Sequence, residues 1–304
     1  MKSTPFRVIT TLTSLALLPA AAYADVTVYG KANVSIQSSD VDDESVTELV
    51  SNASRIGLKG FEVLDNGLKA IYKFEYETYV DDGNNNGNTF GQRNIYVGLT
   101  GVFGTVKGGK FDTPLKTAQN KVDLFNDLIG DIKNIITEND NRTNNTVSYS
   151  SPDAPFVGQV ALIMSENENV DNGISGSISY SNDNLYLAAA ADHNVESQDS
   201  SAYRLVVQYN AGDLQLGLLG ETFEDANGES DSGFLGSVQY KINNWALKAQ
   251  GGQSDINDDG GQSFSLGADY KMAKNAKLFG YYTDLSSDNE EDGRYLGFGI
   301  EYKF

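Results

Sequence analysis

From Val26 to Gln37 the chain alternates without interruption. Val26, Val28, Gly30, Ala32, Val34 and Ile36 fall on one face, and Thr27, Tyr29, Lys31, Asn33, Ser35 and Gln37 on the other. A period of two is the signature of an extended strand with unlike faces. The same pattern closes the chain. Leu296, Phe298, Ile300, Tyr302 and Phe304 share one face, while Tyr295, Gly297, Gly299, Glu301 and Lys303 share the other. Between these ends, alternating runs of roughly ten residues recur, the length of a tilted strand that crosses a bilayer. No later segment is long and apolar enough for a membrane helix.

The connections alternate in length. Leu64-Asp65-Asn66-Gly67, Ala211-Gly212 and Ile242-Asn243 read as tight turns, whereas 40–51, 111–141 and 285–293 read as long polar loops. Short turns on one rim and long loops on the other predict an up-and-down barrel. The spacing predicts an all-β fold of about sixteen antiparallel strands, wide enough to keep water in its lumen.

The first 24 residues differ. Lys2 and Arg7 precede an apolar stretch from Val8 to Ala21, and Ala22-Tyr23-Ala24 supplies a small-x-small cleavage pattern. This reads as a secretory signal, residues 1–24, ahead of a barrel over 25–304. Its loss takes both basic residues and no acid, moving the formal charge from −20 to −22. So acidic a chain repels nucleic acid. There are no cysteines, 31 glycines and only 5 prolines. An exported chain without disulfides must rely on a large core or a closed hydrogen-bond network.

Five segments carry a resemblance to a known family: VTVYGKANVSIQ, SRIGLKGFEVLDNGLKAIYKFEYE, QRNIYVGLTGVFGTVKGGKFDTP, NRTNNTVSYSSPDAPFVG and the terminal YLGFGIEYKF. They resemble the general-diffusion porins of Gram-negative bacteria, in the β- and γ-proteobacterial branch of the trimeric, sixteen-stranded class. The resemblance spans the chain after residue 24. It implies an outer-membrane homotrimer among lipid and lipopolysaccharide, passing ions and small hydrophilic solutes. It also implies that the terminal Phe304 is the signal read by the barrel-assembly machinery. The third loop is expected to fold inward and narrow the pore against a basic wall.

The family's wall positions fall on Lys31, Arg55, Arg93 and Arg142. Strand parity independently turns Lys31, Arg55 and Arg142 inward, together with Lys248 and Lys271 away from the neck. Arg93 conflicts with parity, because its in-phase neighbours Ile95, Val97 and Leu99 are apolar. That strand therefore reads as buried on both faces, as under the inserted loop or at a subunit contact. On the loop, Asp123, Asp127 and Asp131 are spaced by four, which predicts one side of a short helix facing the neck. A solvated loop face would explain the same three residues. The Pro-Glu-Phe-Gly-Gly-type tip of enteric porins is missing, so loop acids cannot be carried over from them.

Other motifs carry less. His193 is the single histidine and has no evident catalytic partner in sequence. Asp82-Asn84-Asn86-Gly87 and Asp255-Asn257-Asp259-Gly260 begin like calcium loops. Their twelfth positions, Arg93 and Leu266, are not the closing glutamate. The reading calls for neither cofactor nor metal and predicts a passive channel. A substrate-specific porin is the alternative, and a barrel enzyme a more distant one. Ion preference is open, with acidic loops favouring cations and a basic wall favouring anions.

Overall fold

The computed structural model describes residues 25–304 except 43, 84, 85, 135, 290 and 291. The predicted signal lies outside the described residues. The first stretch of the chain forms β1 (Asp25–Val41), β2 (Glu44–Ser51), β3 (Arg55–Val63), β4 (Lys69–Thr78), β5 (Phe90–Gly101) and β6 (Gly104–Asp112). A long loop follows, holding the short helix α1 (Pro114–Ala118) and one 3-10 turn at Ile132–Asn134. The sheet resumes with β7 (Arg142–Ser150), β8 (Phe156–Ile163), β9 (Gly173–Ser181), β10 (Leu185–His193), β11 (Ser201–Ala211) and β12 (Leu214–Glu224). It ends with β13 (Ser230–Ile242), β14 (Trp245–Ser254), β15 (Gly261–Ala273), β16 (Ala276–Ser286) and β17 (Gly293–Lys303).

Neighbours pair antiparallel, and β17 returns to β1, with Lys31 opposite Lys303 and Ile36 opposite Phe298. The sheet is closed and has no free edge. Both β2 and β3 pair with β1, so together they make one stave of a sixteen-strand barrel. The break between them is a local kink at Ala53, whose φ is 49°. Ser54 and Asn52 repair the ladder there: Asn33 N donates to Ser54 Oγ at 2.9 Å, and Asn52 Nδ2 to Ser35 Oγ at 2.9 Å.

The alternation sorts side chains as expected of a barrel in lipid. Val28, Ile36, Leu205 and Phe298 are exposed on the outside, while Asn33, Ser35 and Gln37 are buried inside. A sheet face apolar around its whole circumference is tolerated only against lipid. Outward aromatic pairs, Phe156 with Tyr180 and Trp245 with Tyr270, sit near the short turns at centroid distances of 4.9 and 4.8 Å. They mark the level of the interface.

The core lies inside the barrel, between the long loop and the wall. Leu115, Ala118, Val122, Ile132 and Ile136 of the loop pack against inward side chains such as Ala190, Val206, Leu219 and Leu235. Farther along, Phe125 packs with Phe279 and Tyr281. Glycines make the close approach possible: a Cβ on Gly217 would meet Val122, and one on Gly267 would meet Phe125, each at 2.9 Å. The strands that carry apolar side chains on the inner face as well, beside buried polar ones such as Arg204 and Glu221, are thus β10 to β13. The expectation that the Arg93 strand lies beneath the loop does not hold.

Candidate permeation site

The loop from Thr113 to Asn141 lines the inner wall from β9 around to β16, and its tip reaches β1 and β3. Its backbone is tied down by wall side chains. Ser175 Oγ accepts from Leu115 N at 3.2 Å, Ser237 Oγ donates to Val122 O at 2.6 Å, and Ser254 Oγ donates to Ile136 O at 2.8 Å. Gln250 accepts from Leu124 N at 2.7 Å and donates to Gly130 O at 3.1 Å.

At the tip, Lys31 and Arg55 are direct register partners across β1 and β3. Like charges placed opposite each other repel. Asp127 resolves this by inserting between them. Lys31 Nζ lies 2.6 Å from Asp127 Oδ2, and Arg55 Nη2 donates to the same oxygen. Burial pushes the Asp127 carboxyl up, but Arg55 and Lys31 outweigh it and hold the carboxyl below the usual range. The left-handed backbone at Asp127 (φ 68°) aims it at the wall, and its N–H donates to Asp131 Oδ2 at 2.9 Å.

The three loop aspartates do not share a helix face. The structure places no helix over 123–131, and the loop's helical turns lie at Pro114–Ala118 and Ile132–Asn134. Only Asp127 faces the wall cations. Asp131 is buried and accepts from Asn126 Nδ2, Asp127 N and Lys133 N. Asp123 is buried and accepts from Phe125 N, Ile132 N and Gln250 Nε2. These backbone bonds compete with helix formation, as short aspartates do. Burial, and next the Asp131 carboxylate, push the Asp123 carboxyl up to about 8. Asp131 is also raised, chiefly by burial.

Arg93 does face the lumen. The β4–β5 register shifts between Phe74 and Tyr76, so a bulge at Arg93-Asn94 reverses the phase. Val97 and Leu99 then point to lipid. Arg93 meets Glu77 at 2.5 Å and Glu75 at 3.3 Å. Glu75 also accepts from Tyr29 at 2.8 Å and pairs with Lys73 at 3.2 Å. Arg142 pairs with Asp112, its register partner, at 2.9 Å. Asp112 accepts from Asn94 at 2.9 Å, and Lys116 links it to Asp140.

Acids and bases are therefore interleaved along one wall, where the sequence predicted a basic wall facing an acidic loop. Glu75, Glu77 and Lys73 were not singled out from sequence, although Lys69, Lys73, Glu75 and Glu77 share the odd, inward phase of β4. Lys248 donates to Leu124 O at 3.2 Å and pairs with Asp269 at 3.1 Å, so it touches the loop. His193 Nδ1 lies 3.0 Å from Ser201 Oγ at the end of β10. The adjacent Asp192 has the opposite parity and is buried inside the barrel. In the loop that begins like a calcium site, Asp255 accepts from Gly260 N at 2.8 Å, an ordinary turn contact.

A closed antiparallel barrel, apolar outside, polar inside and narrowed by an inward loop, is a transmembrane channel. The family model for Gram-negative porins matches residues 11–290, and the chain belongs to that family. It is an outer-membrane porin that forms a channel for passive diffusion. The major outer membrane protein P.IB of Neisseria meningitidis serogroup B is 27% identical over 330 residues, covering 96% of this chain and 98% of that protein. P.IB of Neisseria gonorrhoeae is 35% identical over 168 residues, 51% of this chain and 47% of that protein. Among solved structures, Salmonella typhi OmpF in complex with daunomycin superposes with a TM-score of 0.73 at 15% identity, covering 92% of this chain and 97% of that one. A loop-deletion mutant of the Vibrio cholerae outer membrane protein OmpT gives 0.74 at 17% identity, covering 92% and 99%.

Proposed function

We propose that solutes pass between the loop tip and the β1–β7 wall, and that Lys31, Arg55, Asp127, Arg93 and Arg142 set the charge of that neck. The observation that carries this reading is the shared contact of Lys31 and Arg55 with Asp127. A loop acid that meets two wall cations fixes both the width and the net charge of the passage. Asp123 and Asp131 act one step back, shaping the tip from inside. Screening confines each charge to about 8–10 Å at physiological salt, so charges at the neck dominate selectivity. Reversal potentials of Asp127→Ala and Lys31→Ala/Arg55→Ala in a salt gradient test the reading. The first should shift toward anions and the second toward cations. No shift in either variant would place the selectivity elsewhere.

The same reading covers assembly and chemistry. Residues 1–24 act as a signal cleaved after Ala24, and the barrel assembles as a homotrimer in lipid and lipopolysaccharide. The Vibrio OmpT structures include one described as a trimer form, which supports this. The chain acts as a channel and not as an enzyme. Its family and its named relatives support that reading, and Asp192, the acid next to His193 in sequence, is turned to the other face of the strand.

A further inference from the structure

Outside the neck, charge is sorted by height in the barrel. The connections on the long-loop rim are 42–43, 79–89, 164–172, 194–200, 225–229, 255–260 and 287–292. Each holds two to four Asp or Glu and not one Lys or Arg. At the short-turn end the turns themselves hold Asp65, Asp153, Asp183 and Asp213 against Lys274, and the opposite sign appears inside the mouth. Lys241, Lys271, Lys274, Lys277 and Lys303 line one cavity of about 430 Å³ at that mouth. Asp269 and Glu301 are the only acids lining it. Lys277 is taken by Asp269 at 2.8 Å and Lys303 by Glu301 at 3.0 Å. Lys241, Lys271 and Lys274 have no ion-pair partner among the described residues.

The facing wall repeats this sign. Lys59 and Lys73 are register partners, and both lie near the Tyr29 ring, at 5.2 and 5.8 Å. Lys107 sits 4.1 Å from the Phe111 centroid. Aromatic faces stabilise Lys59 and Lys107 without cancelling their charge, whereas Lys73 is paired with Glu75 at 3.2 Å and belongs to the neck wall. The neck between the two regions holds interleaved acids and bases. A solute moving along the axis thus meets an acidic vestibule, a compensated neck and a basic vestibule, in that order.

We propose that this arrangement rectifies: the pore conducts better when the loop side is positive. In that polarity cations enter through the acidic vestibule and anions through the basic one. Both accumulate at the neck, and conductance rises. In the opposite polarity both ions leave the neck, and each vestibule repels the species that would replace them. The neck then empties of carriers. Only fixed charge and weak screening are needed, so the effect belongs to low salt: the Debye length is about 30 Å at 0.01 M and about 3 Å at 1 M. The inference does not depend on which residues form the neck.

The test is the current–voltage curve of the purified porin in a planar bilayer. The chain has no cysteine, so Asn227→Cys in a rim loop gives a unique handle. A bulky impermeant thiol reagent, applied to one chamber, then reports which way the loops face. At about 0.01 M KCl the current with the loop side positive should exceed the opposite current by about two-fold or more, falling to about one at 1 M. Lys241→Gln/Lys271→Gln/Lys274→Gln should remove most of the asymmetry, and Asp255→Asn/Asp258→Asn/Asp259→Asn, which neutralises one of the seven acidic connections, should reduce it. Symmetric currents at low salt in the unmodified pore overturn the proposal, as does rectification of the opposite sign. Asymmetry left unchanged by both triple variants also overturns it.

Discussion

Arg204 and Glu221 form an ion pair inside the barrel wall, Nε to Oε2 at 2.5 Å, with neither side chain exposed. They are register partners on β11 and β12, and the loop closes over them. Arg204 donates to Leu115 O at 3.3 Å and to Thr137 Oγ1 at 3.2 Å, while Glu221 accepts from Asn139 Nδ2 at 2.8 Å and from Thr137. The pair therefore clasps both roots of the constriction loop.

Breaking one member leaves the other buried and unpaired, which costs about 3–5 kcal/mol. Glu221→Gln should release the loop roots while the barrel stays closed. Limited proteolysis within 113–141 should speed up, and single-channel current should become noisier. Arg204→Met/Glu221→Leu should recover part of the stability loss, because an apolar pair carries no orphan charge, yet the loop should stay released, because this variant also lacks the bonds to Leu115, Thr137 and Asn139. Proteolysis of 113–141 at the unmodified rate in both variants would remove the pair from this role.

Removing Lys116 to Glu138 should raise conductance. The segment carries Val122, Phe125 and Ile136 into the lumen, and its deletion empties that volume. The exposed wall would then show Val206, Leu219 and Leu235 to water, so stability should fall as well, by about 1.5–3 kcal/mol for each large side chain fully exposed. Unchanged conductance in a folded deletion variant would place the loop outside the conduction path.

The pH response of the loop should follow Asp123. Its carboxyl is raised to about 8 in the folded loop, against about 3.9 for an unfolded chain. Between those values the released loop gives up its proton and the closed loop keeps it. Closure is thus strongest near pH 4 and weakens as pH rises, levelling off above about 8. Hydrogen exchange of 113–141, corrected for intrinsic rates, should show this trend, and Asp123→Asn should weaken it, with the remainder carried by Asp131, whose carboxyl is also raised by burial. A loop that tightens with rising pH would contradict the assignment.

What the sequence made legible follows from period two. The alternation at Val26–Gln37 and Leu296–Phe304 set the barrel, its closure and the inward phase of Lys31 and Arg55. The strand of Arg93 was misread as buried on both faces because a β-bulge is a single-residue event that shifts phase without leaving a composition signal. The inner cover of β10 to β13 was not legible in the sequence for a different reason. Ala190, Val206 and Leu219 look like lipid-facing residues in sequence, and only the loop's three-dimensional path shows what covers them. The even spacing of Asp123, Asp127 and Asp131 suggested a helix, yet two of the three spend their oxygens on nearby backbone N–H groups. Pairing of bases with Glu75 and Glu77 along one wall depends on register, which alternation alone does not reveal.

The closure itself supports the last prediction. Phe304 N donates to Gly30 O at 3.1 Å, and Gly30 N donates to Phe304 O at 3.0 Å. The Phe304 ring lies over Gly30, where a Cβ would fall 2.3 Å from the ring edge and 2.8 Å from Arg55 O. The ring also stacks near Tyr302 on the lipid side, with centroids 6.3 Å apart. Gly30 is therefore the only residue type that admits both the ring and the third strand at this point. Deleting Phe304 removes the last two backbone bonds of the seam and the aromatic that covers it, about 0.5–1.5 kcal/mol for each bond. Gly30→Val attacks the same contact from the other side without touching the terminal residue. Both variants should lower the yield of heat-resistant assembled porin. If the terminal aromatic serves only as a targeting signal, the deletion alone will fail in cells, and Gly30→Val will assemble normally. If it also seals the barrel, Gly30→Val will lower the unfolding temperature of refolded protein in detergent, where no assembly machinery is present.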